Sequence, residues 1–457
     1  MKSTRASIAT AVALVAMFGG LSAPVYGAPT GNAGNAVNAV TEWNLIAATT
    51  LVSLPPAAGG AAPASQINMG MTQGAVYDAV NAIGPEHYQP YLLKRRFSAK
   101  ASKDAAVATA AYRVLSNIVS TVPTSIPFPD RASLLQSLAR QYAASLAPIS
   151  DSRSKAQGIA AGTAAANAMI AARQNDGRFG PSQWVPNSAP GHWQPLLSPG
   201  GTPILDPTPW VGGVKPFLLQ SQSQFRTAGP NALTSAAYAA DFNEVKRLGS
   251  ISSTVRTVEQ THIAIFWQSN PVATWNAVGR QLVDLYDVDI TDSARLFAMQ
   301  NLSAADAAIN CWNDKYHWDF WRPWNAIPRA AEDGNPATAP DLNWKPLISA
   351  PYPEHPSGHL CHDSAHLSVL KMFFGTDKIP GGYGVTSAQF PGETRHFDRL
   401  SQALAEIIEA RIWAGLHFRT ADLQAVILGR NVANYMANNY FQQVGNNTSE
   451  GDRSTLG

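Results

Sequence analysis

Apolar positions along most of this chain recur at three- and four-residue spacing, the period of a helix with one buried face. Such patterns run over residues 36 to 52 and 66 to 84, the second containing INMGMTQGAVYDAVNAI. Ala-rich stretches at 101 to 120, 130 to 147 and 151 to 174 carry few β-branched runs and extend the helical signal. The texture then changes. From 175 to 232 Gly, Pro, Trp and Ser accumulate, as in DGRFGPSQWVPNSAPGHWQPLLSPGG, and no regular element survives that composition for long. A loop of this length in a compact protein is functional or packed on the surface, and its tryptophans predict an ordered excursion that covers part of the fold. Helical periodicity returns at 234 to 248, 256 to 267, 271 to 287, 291 to 312, 358 to 374, 394 to 414 and 420 to 441. With no array of alternating strands, no βα rhythm and no fixed-period repeat, the expectation is an all-α, packed helical bundle. Its parts are a leader at 1–27, a helical region at 28–174, the connecting segment at 175–232, a second helical region at 233–445 that carries the candidate chemistry, and a flexible tail at 446–457.

Composition narrows the function. The 457 residues are 45% hydrophobic and only 14% charged, with 33 basic against 31 acidic side chains. A net charge of +2 gives no long-range field for nucleic acid or an anionic membrane, so any attraction for anions has to be local. Lys2 and Arg5 precede an apolar run from Ile8 to about Leu21, broken by Gly19 and Gly20 and followed by Pro24. That is the layout of a secretory signal peptide, with cleavage near Gly27 or Ala28, and it predicts export to the periplasm or the extracellular space. No later segment is long and apolar enough to predict a membrane span. The two cysteines, Cys311 and Cys361, either pair in an oxidising compartment or remain as buried thiols.

Three segments carry candidate chemistry. In Lys315-Tyr-His-Trp-Asp-Phe-Trp-Arg322-Pro323, two cations stand seven positions apart, nearly on one helical face and about 10.5 Å apart in rise if a helix runs through. Pro323 disfavours helical geometry at Arg322, which predicts a helix end there and a guanidinium free to turn inward. In Pro351-Tyr-Pro-Glu-His-Pro-Ser357-Gly358-His359, prolines break the chain and a helix opens, with Ser357 as its natural N-cap. The unpaired N–H groups of that helix start, at the positive end of its dipole, form an anion cradle. Gly358 lets an oxyanion approach the backbone, and His359 stands where an imidazole exchanges a proton with whatever is bound. In Arg411-Ile-Trp-Ala-Gly415-Leu-His417, the cation and the imidazole reach one target only if the helix stops between them, and Gly415 is suited to stop it, with Thr420 able to cap the helix that follows. His355, His359, His362 and His366 crowd the second segment; His362 and His366 have zinc-ligand spacing but no glutamate between them suited to a zinc protease, so packing and supporting hydrogen bonds are their expected roles.

Taken in order, Lys-x6-Arg-Pro, then Pro-Ser-Gly-His, then Arg-x5-His resembles the signature of the superfamily that joins vanadium-dependent haloperoxidases with type 2 phosphatidic acid phosphatases and bacterial class A acid phosphatases. The resemblance is strongest over residues 311 to 422. It implies a tetrahedral oxyanion held by Lys315, Arg322, Ser357, Gly358, Arg411 and His417, with His359 as the acid–base residue. Under a haloperoxidase reading the cofactor is vanadate, His417 is the metal ligand, and the partners are hydrogen peroxide, a halide and a small organic acceptor. Under a phosphatase reading the same site takes phosphate and His417 is the nucleophile. The family commonly places an orienting aspartate four residues after that histidine; here Ala421 stands there and Asp422 one further on. Trp312 and Tyr352 resemble aromatic positions of the chloroperoxidase branch, which favours the haloperoxidase. A third reading, an exported oxyanion-binding protein without turnover, requires the cations but not His359.

Overall fold

The computed structural model describes residues 38–182 and 184–444, so the leader expected at 1–27 and the tail expected at 446–457 lie outside the described residues. The first half supplies α1 (Ala39–Val52), α2 (Ala62–Asn81), α3 (Lys103–Ser120), α4 (Arg131–Leu146) and α5 (Arg153–Ala172). The second supplies α6 (Ala236–Leu248), α7 (Val258–Phe266), α8 (Pro271–Leu285), α9 (Ile290–Trp318), the short α10 (Pro323–Ala326) and α11 (Gly358–Phe374). A hairpin of β1 (Lys378–Ser387) and β2 (Phe390–Arg399) follows, then α12 (Leu400–Trp413) and α13 (Arg419–Asn439). The all-α expectation holds, with this antiparallel pair as the one sheet among the described residues.

The 29-residue α9 is the axis of the packing. It lies against α2 on one side and against α11 and α13 on the other. Both α2 and α9 are buried on nearly every face, as expected of helices surrounded by other elements. Some of their buried polar side chains form a chain with neighbouring helices: His366 Nε2 of α11 meets Gln66 Oε1 at 2.9 Å, Gln66 reaches Asn301, and Asn301 pairs with Asn276 of α8. Burial of amides and imidazoles is tolerated where each finds such a partner.

The 175–232 excursion is ordered because α9 presents it with acceptors at four-residue spacing. Asp306 takes the backbone N–H groups of Phe217, Leu218 and Leu219 at 2.7–2.8 Å, Asn310 takes Phe225 N–H at 2.9 Å, and Asp314 takes Thr227 N–H at 2.7 Å. Asp206 of the same segment accepts from Trp312 Nε1 and Tyr316 Oη in return. Residues i and i+4 share a helix face, so a segment whose own regular structure is a short 3-10 helix at Pro209–Gly213 borrows regularity from the helix beneath it.

Two boundaries differ from expectation. The region 394 to 414 is not one helix: β2 runs to Arg399 and α12 starts at Leu400. Strand pairing such as Tyr383 with Phe397 and Val385 with Arg395 supplies hydrogen bonds that no local period announces. Likewise α9 ends at Trp318, before Arg322, because Asp319 adopts a left-handed conformation with φ 46°. Among the described residues no helix is long and apolar enough to cross a membrane.

Candidate active site

The site forms where three chain reversals meet: the end of α9, the start of α11 and the corner between α12 and α13. Since α9 stops at Trp318, Lys315 and Arg322 do not share a continuous helix. Lys315 projects from the last turn and Arg322 from the N-cap of α10, and both are fully buried. Lys315 Nζ donates to the Pro353 and Glu354 carbonyls at 3.1 Å and to the Pro356 carbonyl. Arg322 donates through Nε to the Tyr352 carbonyl at 3.0 Å, through Nη1 to the Leu416 carbonyl at 2.8 Å and through Nη2 to the Pro353 carbonyl at 3.3 Å. The two cations thus hold the proline-rich turn 351–356 from beneath. Aromatic faces complete their surroundings: Lys315 Nζ lies 5.6 Å from the Trp312 ring and 5.2 Å from Tyr352, and Arg322 lies 5.2 Å from Tyr352. Rings attract cations without cancelling their charge, so the positive field stays available to a guest.

At the third corner α12 ends at Trp413 and Gly415 turns the chain with φ 74°, the stop expected from sequence. Arg411, 3% exposed, donates from Nη1 to the Trp267 carbonyl at 3.3 Å and keeps Nε without a partner among the described residues. His417 lies on the far side of the turn. Its Nε2 accepts from Arg322 Nη1 at 3.2 Å, and its Nδ1 faces Glu354 Oε1 at 2.9 Å. Thr420 does not cap α13; Phe418 holds that position and Thr420 falls in the first turn.

Ser357 occupies the N-cap of α11, yet its side chain makes no bond to the helix it precedes. The N-caps Ser102, Ser152 and Ser235 all accept from a helical N–H, so the unbonded, buried Ser357 Oγ is a departure. A methyl at Gly358 would sit 3.0–3.1 Å from the Trp312 ring and 3.6 Å from Lys315 Cε, filling the cradle at the helix start. His359 follows with Nε2 unpartnered among the described residues. Unused polar atoms of Ser357, His359 and Arg411 around a helix N-terminus are what a bound oxyanion would satisfy.

Electrostatics agree. Burial lowers Lys315 to about 8 and Arg322 to about 10, and it pushes His417 well below its ordinary range, with Arg322, Lys315, Arg411 and His359 adding to the descent. His359 falls for the same reasons, burial first and then Arg411 and His362, while a hydrogen bond with the Ser269 backbone pulls it back. Burial and the three nearby cations thus both favour the neutral form of the two imidazoles. A vanadate or phosphate group fits this set: the field of three buried cations, an unused charged donor at Arg411 Nε, a helix start, and an unprotonated imidazole nitrogen. Lys315 gives a pH signature. An anion holds its ammonium protonated, so affinity is full below pH 8 and lost as pH rises through that value. Inorganic phosphate binding measured by calorimetry should weaken about tenfold between pH 7 and 9, whereas Lys315→Met should bind more weakly at pH 7 and lose this dependence.

Glu354 was not singled out by sequence reasoning, and the structure places it at the centre. It is fully buried, accepts from Phe418 N–H at 3.0 Å as well as facing His417, and burial raises it to about 8. Asp422 is fully buried too but makes no hydrogen bond to His417; it lies beside Ser357. Of the supporting histidines, His366 bonds Gln66 through Nε2, whereas His362 only packs, stacking on Trp312 at 5.9 Å between centroids with neither ring nitrogen hydrogen-bonded among the described residues. Cys311 and Cys361 are buried free thiols in mutual contact, not a disulfide.

Residues 295–446 match the sequence profile of the VCPO second helical-bundle domain. Vanadium chloroperoxidase of Curvularia inaequalis is 26% identical over 193 residues, 35% of this chain and 31% of that protein. Vanadium-dependent bromoperoxidase of Ascophyllum nodosum is 22% identical over 157 residues, 32% of this chain. The alignments span only 31% and 24% of these curated relatives. Among solved structures, that of the first bacterial vanadium-dependent iodoperoxidase superposes with a TM-score of 0.68 at 21% identity, covering 89% of this chain and 96% of the other. A bacterial vanadium-dependent chloroperoxidase in its holo form gives 0.64 at 17% identity, covering 84% and 92%. At these identities the structures establish the shared fold.

Proposed function

We propose, given that this chain belongs to the superfamily joining vanadium-dependent haloperoxidases with type 2 phosphatidic acid phosphatases, that it is an exported haloperoxidase which binds vanadate and oxidises halide with hydrogen peroxide. The oxidised halogen passes to a small organic acceptor; nucleic acid has no part in this. Residues 233–445 form the catalytic helical domain, and the leader at 1–27 is removed on export.

The observation that carries the reading is the set of buried Lys315, Arg322 and Arg411 with His359 about His417, whose unprotonated Nε2 accepts from Arg322, next to a helix start where Ser357 Oγ makes no bond to its own helix. Lys315, Arg322, Arg411, Ser357 and the Gly358 N–H hold the oxyanion, and His417 bonds the metal. Bound vanadate supplies a Lewis-acidic centre that makes peroxide electrophilic. His359 takes a proton from peroxide at Nε2. Its basicity is depressed first by burial and then by Arg411, and the negative charge of the bound anion opposes both. The aromatic walls of Trp312 and Tyr352 limit water around the cations.

One observation keeps phosphatase as the second reading: a carboxylate, Glu354, stands on His417 Nδ1, as a phosphohistidine mechanism needs. The aromatic wall and the haloperoxidase relatives favour the first reading. Purified protein dialysed against vanadate should oxidise bromide or iodide with peroxide, and added phosphate should suppress the reaction by competition. Hydrolysis of an aryl phosphate that vanadate inhibits, with no halide oxidation, would replace this reading with the phosphatase.

A further inference from the structure

We infer that Glu354 is the positioning residue for His417: through Oε1 it holds the imidazole with Nδ1 protonated and Nε2 bare toward the oxyanion site, the role that Asp422 does not fill. The inference rests on the reading of His417 above and deepens it.

The tautomer follows from donor counting. Arg322 Nη1, 3.2 Å from His417 Nε2, has only hydrogens to offer, so Nε2 accepts. A neutral imidazole then carries its proton on Nδ1, which points at Glu354 Oε1, 2.9 Å away. The Phe418 N–H donates to the same oxygen at 3.0 Å. An oxygen that receives two donors is an acceptor whether or not the other oxygen carries a proton, so the orientation does not depend on the ionisation of Glu354.

Glu354 is itself held firmly enough to set an angle. Its N–H donates to the Phe320 carbonyl at 2.9 Å, and its carbonyl receives Lys315 Nζ at 3.1 Å. One residue therefore ties the α9–α10 turn, the start of α11 and the corner before α13 to a single imidazole. Its other oxygen, Oε2, has no partner among the described residues, and Glu354 borders a small cavity of about 10 Å³, which Tyr238, Asp241, His355 and Phe418 help to line. That is the space of roughly one water. An amide NH₂ therefore fits in place of Oε2, which makes Glu354→Gln a conservative probe. Asp422 offers no alternative: it makes no hydrogen bond to His417 and lies beside Ser357 instead.

The test reads the imidazole directly, before any vanadate is added. In protein labelled with ¹⁵N-histidine, long-range ¹H–¹⁵N spectra give the tautomer of each ring, and the signal absent from His417→Ala identifies the one in question. Wild type and Glu354→Gln should both show protonated Nδ1 and unprotonated Nε2, whereas in Glu354→Leu the ring loses its anchor on Nδ1, is free to turn away from Arg322 Nη1, and should show mixed tautomers. Equilibrium dialysis with vanadate should find Glu354→Gln within about threefold of wild type and Glu354→Leu weaker by about 10–100-fold, the range for groups that orient a metal ligand. A wild-type His417 protonated on Nε2 would overturn the inference whatever the variants do, including a Glu354→Leu protein that fails to fold. An unchanged tautomer and unchanged affinity in Glu354→Leu would do the same. If the tautomers behave as stated but wild type does not bind vanadate, the functional reading fails and the positioning role stands.

Discussion

Replacing His417 with alanine should abolish vanadate-dependent halide oxidation, lowering turnover by about 10³-fold or more, the scale of losing a single group that acts at the reacting centre. The imidazole is 2% exposed and is held by Glu354 on one nitrogen and Arg322 on the other, so no neighbouring side chain replaces it. The fold should tolerate the change at a cost of about 1–3 kcal/mol. Glu354 Oε1 keeps Phe418 N–H, and Arg322 keeps its three carbonyl acceptors. Phosphate should still bind this variant, more weakly, because Lys315, Arg322, Arg411 and the start of α11 remain. Halide oxidation by peroxide and phosphate calorimetry, run on the same preparation, separate the loss of chemistry from the loss of the pocket. Wild-type turnover in His417→Ala would remove this residue from the reaction.

Arg322→Ala should damage stability and binding together. The guanidinium fills four acceptors: the carbonyls of Tyr352, Pro353 and Leu416, and His417 Nε2. Deleting it orphans carbonyls in a region where water does not reach, at about 1–3 kcal/mol each before relaxation. Relief of repulsion from Lys315 and Arg411 offsets part of this, leaving a net loss on the order of 3–5 kcal/mol in urea unfolding. Arg322→Lys should recover only part, because an ammonium has three donors and lacks the planar reach to acceptors on both the 351–356 turn and the 415–417 corner. Phosphate affinity should fall in both variants. A midpoint unchanged from wild type in Arg322→Ala would show that the turn holds itself without the guanidinium.

The reach of the sequence is clearest where chemistry is local. Helical period, the proline-broken run before Ser357 and the glycine at 415 each act within a few residues, and the elements they announce are present. The ordered triplet of motifs likewise named side chains that the fold gathers around His417. Fixed backbone preferences and donor chemistry travel with the residues themselves, so a linear reading captures them.

What required the folded chain is every relation between distant segments. Pro323 announces a helix end near Arg322, but the stop falls at Asp319, whose left-handed conformation is accompanied by bonds from the excursion's His192 and Trp184 to its carboxylate. The β1–β2 hairpin arises from partners that recognise each other only across a turn, so 394–399 read as the start of a helix. Glu354 was one acid among prolines until Phe418 and His417, more than sixty residues later, were brought against it. Hydrogen bonds of this kind depend on angles and distances set by packing, and a string of residue types holds neither.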